Sequence, residues 1–151
     1  MQIIKDSQIT NDSWEYKPDD ADLGNGDVTI SSARLQQQQG IELSNREGKL
    51  GVRITPSDSV EGIADFLPDL ALVELHFPEL NDGRLFSHAW LIRNRYHYTG
   101  EIRATGHFIP DQVFYLSRVG VNSFYPANPG HLSATLTSLK DFSVKYQPSV
   151  N

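Results

Sequence analysis

The feature that most limits the fold is a regular alternation that begins at Lys49, in which short apolar runs are followed by segments whose apolar residues recur at helical spacing. Leu50-Gly51-Val52-Arg53-Ile54 reads as a strand. Ser57-Asp58, with Glu61 three residues after Asp58, reads as a capping-box start. Val60, Ile63, Ala64 and Leu67 then mark an amphipathic helix that Pro68 stops. Residues 70–77 form the next strand, and Asp82-Gly83 opens a second helix with Leu85, Phe86, Ala89, Ile92 and Tyr96 on its buried stripe, ending before Gly100. Residues 101–105 form a third strand. Pro110 suits the first turn of a third helix that runs to Gly120. Residues 121–125 form a fourth strand, and Leu132, Leu136 and Leu139 mark a last helix after Asn128-Pro129-Gly130.

Four β–α pairs in about 95 residues predict parallel strands joined by right-handed crossovers. A complete eight-unit barrel takes about 250 residues, so a chain of 151 cannot close one. The expected class is therefore α/β, with a mostly parallel open or half-barrel-like sheet of about four β–α units and a small N-terminal β hairpin. One domain is expected over 1–151, with an N-terminal β appendage and loop at 1–45 and a β/α core at 49–143. In the appendage, Ile3-Ile4 and Trp14-Glu15-Tyr16 flank a turn-forming Thr10-Asn11-Asp12-Ser13, which suggests the hairpin. Val28-Thr29-Ile30 reads as a short strand, and the run from Gln36 to Gln39 as a helix end or exposed loop.

Composition matters by exclusion. The chain has no cysteine, so it holds no Cys-type zinc site, iron–sulfur cluster, thiol redox pair or Cys nucleophile of its own. The N-terminus is polar within six residues and no run approaches a membrane span, so a cytoplasmic protein without membrane contact is expected. Residues 1–65 carry 12 Asp/Glu against 6 Lys/Arg, so they contribute the whole net charge of −6. That argues against nucleic-acid binding by bulk attraction to phosphates. Residues 83–118, by contrast, hold five arginines against Glu101 and Asp111, which suits a small local anion site.

Phe77-Pro78, Asp82-Gly83-Arg84, Ser87, Leu91-Ile92-Arg93, Arg95-Tyr96, Gly100-Glu101-Ile102-Arg103-Ala104, Gly106, Asp111-Gln112 and Arg118 occur in an order and spacing that resembles the bacterial domain of unknown function 934 family. The likeness extends to Leu50-Gly51-Val52-Arg53 and Ile3-Ile4-Lys5, nearly the whole chain. It implies a setting: such proteins are typically encoded beside assimilatory sulfite reductase and labelled probable oxidoreductases. It implies no reaction. The sequence departs from the family pattern at Val119, where a cysteine is usual, at His107 and Pro110 around the third strand–helix turn, and at Glu79, which replaces a lysine.

In open α/β sheets ligands sit beyond the carboxyl ends of the strands. There, Gly83, Arg84 and Ser87 with Asp82 would offer helix-start N–H groups, a guanidinium and a hydroxyl to an oxyanion. The plainer reading is a helix cap beside a surface arginine. Arg53, Glu74 and Arg103 each interrupt the middle of an apolar strand. If those strands are neighbours, the three form an Arg–Glu–Arg ladder, either a structural ion network or a ligand-facing pair of arginines oriented by Glu74. His76 and His107 lie at strand ends and suit acid–base work, with Asp111 nearby in sequence; His88, His97 and His131 complete the set.

No metal-ligand spacing, Gly-x-Gly-x-x-Gly, phosphate-binding loop or Gly-x-Ser-x-Gly occurs, so no metal and no cofactor are expected. Phe114, Tyr115, Phe124 and Tyr125 are read as core and strand-end packing. Two functions fit. The favoured one is a non-catalytic accessory protein of sulfur assimilation that binds a partner, such as sulfite reductase, and a small oxyanion. The alternative is an enzyme handling a small oxyanion or phosphorylated substrate between Arg84 and Arg103. Exposed sheet edges would favour a homodimer.

Overall fold

A computed structural model describes residues 1–38, 46–79 and 83–145. Eight strands form one mixed, mostly parallel sheet: β1 (Gln2–Lys5), β2 (Gln8–Asn11), β3 (Glu15–Tyr16), β4 (Val28–Ser31), β5 (Leu50–Ile54), β6 (Leu72–Phe77), β7 (Glu101–Gly106) and β8 (Ser123–Pro126). The helices are α1 (Ser32–Gln37), α2 (Arg84–Trp90), which continues as a π-helical turn over Leu91–Arg95, α3 (Val113–Arg118) and α4 (His131–Lys145). Gln36 and Gln37 end α1, and Gln39 lies outside the described residues.

Strand order is β2-β1-β8-β7-β6-β5-β4-β3, parallel from β3 through β8, with β1 antiparallel to both β8 and β2. The expected half-barrel class is thus what the chain adopts, with strands from the N-terminal region extending both sides of the sheet. Laid flat, eight strands at about 4.8 Å spacing would put β2 and β3 about 34 Å apart. Yet only Asp12, Ser13 and Trp14 join them, a link reaching at most about 14 Å between the flanking Cα atoms. The sheet must therefore curl.

Alternation along the strands gives the curled sheet two unlike faces. Val52 and Ile54, Val73, Leu75 and Phe77, Ile102 and Ala104, and Phe124 point outward into the helix layer and are buried. Leu85, Ala89 and Ile92 of the second helix and Val113 and Leu116 of α3 complete this core. Each Val, Leu, Ile or Phe buried in this way contributes about 1.5–3 kcal/mol. Edge-on ring contacts Phe77–Phe86 and Phe77–Phe108, both at 6.1 Å, and a tilted Phe108–Phe124 contact at 5.9 Å tie β6, α2 and β8 together.

Local details differ from expectation in three places. The hairpin turn is at Asp6-Ser7, not Thr10–Ser13: both residues have positive φ, as a two-residue primed turn requires, and Lys5 faces Gln8. The Asp58 capping box does not form, because its carboxylate accepts from the Thr55 N–H at 2.7 Å instead. The helix after it is a 3-10 segment, Glu61–Asp69, with Pro68 inside it. Pro68 withholds its N–H from either kind of helix, and the segment ends one residue later, with the Leu70 N–H donating to the Leu67 carbonyl at 3.1 Å.

Candidate functional site

The inner face carries a row of polar residues. Arg53, Glu74, Arg103 and Ser123 stand in one register row across β5, β6, β7 and β8, with Lys5 of β1 opposite Ser123. The strands expected to be neighbours are neighbours, so the charged residues do share a face.

The two arginines differ in what they hold. Arg103 has no exposed surface. Its Nη1 and Nη2 donate to the two Asp12 oxygens at 2.9 and 3.2 Å, and Nη2 and Nε donate to Glu101 Oε2 at 2.7 and 3.2 Å. Ser123 Oγ donates to the same Glu101 oxygen at 2.7 Å, and Lys5 Nζ lies 3.0 Å from Oε1. Burial pushes the Glu101 carboxyl up, but the Arg103 charge and hydrogen bonds from Ser123, Lys5 and Arg103 outweigh it and hold the group below its usual range. Burial likewise disfavours the Arg103 cation, and Asp12 and Glu101 more than offset that. Asp12 reaches this cluster because it sits in the short link between β2 and β3, where the Trp14 N–H also donates to it at 3.1 Å.

Arg53 is the more open of the two arginines. Its Nε bonds Glu74, its guanidinium lies 4.0 Å over the Tyr16 ring, and its side chain is 23% exposed. Glu74 is buried. Two residues beyond Glu74 on the same face, half-buried His76 shares a 2.9 Å hydrogen bond between its Nδ1 and Thr105 Oγ1. Burial lowers the His76 pKa below 6.5, and the charges of Arg53 and His107 lower it further. At neutral pH its imidazole is therefore uncharged. If Thr105 donates to Nδ1, Nε2 carries the proton and is a donor. With that tautomer, Arg53 and His76 toward the carboxyl ends of β5 and β6 make a cation and a neutral N–H donor side by side, which suits an oxyanion.

The other expected residues are placed differently. Gly83, Arg84 and Ser87 are exposed at the start of α2, on the helix side of the sheet, whereas Arg103 points into the inner face. Asp82 lies outside the described residues. Asp111 is exposed in the 3-10 turn Pro110–Gln112, and His107 is exposed beyond β7. His97 is exposed with φ +55°, while His88 is half-buried with Nε2 enclosed. Tyr115 and Tyr125 are exposed rather than packed, unlike Phe124.

Asp12, Tyr16 and Thr105 were not singled out by sequence. For Thr105 the signal is present: Glu101, Arg103 and Thr105 alternate with Ile102 and Ala104, the period of a strand with one polar face. Asp12 carries no such signal, because its partner is distant in the chain.

Among the described residues no group of three or more His, Asp or Glu is placed to hold a metal ion, and no helix is long and apolar enough to cross a membrane. A profile of bacterial proteins of unknown function, DUF934, matches residues 51–151. No curated protein matches the chain.

Proposed function

Given that the chain belongs to the DUF934 family of bacterial proteins of unknown function, we propose that it is a non-catalytic accessory protein that binds a small oxyanion at the mouth of its polar sheet face and serves a partner enzyme. The observation that carries the anion reading is the pairing of half-open Arg53 with His76 at the strand ends. Of the two arginines in the row, Arg103 is occupied by Asp12 and Glu101, so Arg53 is the one that a ligand can reach. Sulfite reduction as the setting comes from the family resemblance alone, and on that basis sulfite or sulfate is the first ligand to try and sulfite reductase the first partner.

Thermal stabilisation by millimolar sulfite, sulfate or phosphate tests the site, since a ligand that binds only the folded state must raise its stability. Wild type is expected to shift upward and Arg53→Gln not to shift; an unmoved wild type would remove the anion reading. Retention of a sulfur-assimilation enzyme from extract at low salt tests the partner, and repeated failure to retain one would remove that half.

The orientation of His76 favours one second reading. In the other tautomer, with Nδ1–H donating to Thr105 Oγ1, the unprotonated Nε2 of a neutral imidazole beside a cation is suited to act as a general base on a bound oxyanion or phosphorylated substrate. Turnover that is lost in His76→Gln while anion binding survives would establish the enzyme over the binding protein.

A further inference from the structure

Resting on the proposal that the chain serves a partner enzyme, we infer that this partner docks through an acidic surface onto the outer face of α2 and α3. Among the described residues the two most exposed large apolar side chains are Trp90 of α2, at 53%, and Tyr115 of α3, at 61%. They stand level with each other. The first helix leads from β6 to β7 and the second from β7 to β8, all parallel strands, so the two helices run in the same direction, packed together. Arg93 joins them, its Nε and Nη2 donating to the Gly120 carbonyl, just past α3, at 3.0 and 2.8 Å. Trp90 lies three residues before Arg93. Tyr115 lies four before Val119, whose N–H its carbonyl accepts at 3.2 Å. Each ring is therefore about one turn back from the same contact, on helices whose axes pack about 8–10 Å apart.

Charge selects the partner. Residues 84–95 and 113–118 carry Arg84, Arg93, Arg95 and Arg118 and no Asp or Glu, although the whole chain is at −6. Arg95 lies two residues after Arg93 and Arg118 two before Gly120; both are exposed, each over a ring, Tyr96 at 5.8 Å and Phe114 at 5.6 Å. Asp111, the acid of this layer, sits four residues before Tyr115, toward the other end of α3. Trp, Tyr and Arg are the residues that anchor protein interfaces. A basic aromatic patch on an acidic protein draws an acidic surface by charge and holds it by its rings. A two-fold dimer through this face would bring two arginine-bearing patches together. Docking onto the acidic N-terminal region of a second copy would be head-to-tail, which continues into rings or chains.

The test puts the photo-crosslinker p-benzoylphenylalanine in place of Asn94 or Asp111, exposed positions four residues from Trp90 and Tyr115, and in place of exposed Ile9 as a control. The full chain is irradiated in low-salt extract of a bacterium that carries it, and the joined peptide is read by mass spectrometry. One protein is expected from both helix positions and not from Ile9, joined within a surface rich in Asp and Glu. Trp90→Ala with Tyr115→Ala, and separately Arg95→Glu with Arg118→Glu, should each lower its retention about tenfold or more, with the thermal midpoint unchanged. Retention that survives both double variants, or a joined surface that is not acidic, would overturn the inference and leave the partner reading standing. A crosslink to a second copy of this chain, with the isolated protein sedimenting above the monomer, would overturn it as well. If the wild-type chain retains nothing, the partner reading and the inference fall together.

Discussion

Arg103 and Arg53 occupy the same row of the same sheet face, two strands apart, and their surroundings give them opposite roles. Arg103 is enclosed, clamped by Asp12 from the β2–β3 link and by Glu101 from its own strand. Arg53 shares one carboxylate, rests on an aromatic ring and reaches solvent. The difference shows that a buried arginine in a strand does not by itself mark a ligand site. What decides is how many carboxylates the fold brings to it: two neutralise Arg103 and fix the curl of the sheet, while Arg53 keeps a face that a ligand can approach.

Removing the enclosed charge should have the largest effect. Arg103→Met removes the buried cation between the half-buried Asp12 and Glu101 carboxylates, leaving Glu101 only Lys5, and should lower unfolding free energy by about 3 kcal/mol, read as a drop in the urea midpoint. A loss below about 1 kcal/mol, typical of an exposed ion pair, would mean the cluster is far more hydrated than its geometry indicates. Asp12→Ala, which leaves Glu101 to serve Arg103 alone, should cost about 2–3 kcal/mol, the range for a charged hydrogen-bonded partner. A near-neutral result there would separate the β2–β3 link from the stability of the sheet.

Arg53→Gln should cost only about 1–2 kcal/mol, because its side chain is partly exposed and Gln can still donate to Glu74. Its signature is functional: stabilisation by sulfite or sulfate disappears while the fold persists. If Arg53→Gln proves as damaging as Arg103→Met, the two arginines do not differ as described.

Acid separates the clusters most finely. His76 has a folded pKa below 6.5, so the unfolded chain takes up the proton first and stability falls as pH drops from 6.5 through the lowered folded value. Glu101 has a folded pKa below 4.5, so its contribution is present above 4.5 and is lost as pH falls through the folded value. Two steps in stability against pH are expected, the open site titrating before the enclosed one. His76→Gln should erase the upper step alone, and an upper step that persists in that variant would assign it to another group.

Much of the fold could be read from local pattern. Apolar strands alternating with helical spacings predicted the parallel sheet, because each amphipathic element needs the next one to cover it. The Arg53–Glu74–Arg103 row was legible for the same reason: adjacent parallel strands of similar length align their mid-strand residues. The position of the hairpin turn was not, since Asp6-Ser7 must adopt a left-handed backbone that Thr10–Ser13 suggested as readily. The 3-10 form of Glu61–Asp69 was also hidden, because apolar residues at helical spacing fit a tight helix nearly as well as an α-helix.

What the sequence determined by itself is the class of fold, the lack of a cysteine among these 151 residues and the residues that carry charge into the sheet. Only the tertiary structure decided which arginine is enclosed. Asp12 and Arg103 lie 91 residues apart, and no local rule links positions so distant. They meet because three residues must bridge the two edges of an eight-stranded sheet, and the curl this imposes carries the Asp12 carboxylate to Arg103 while leaving Arg53 open.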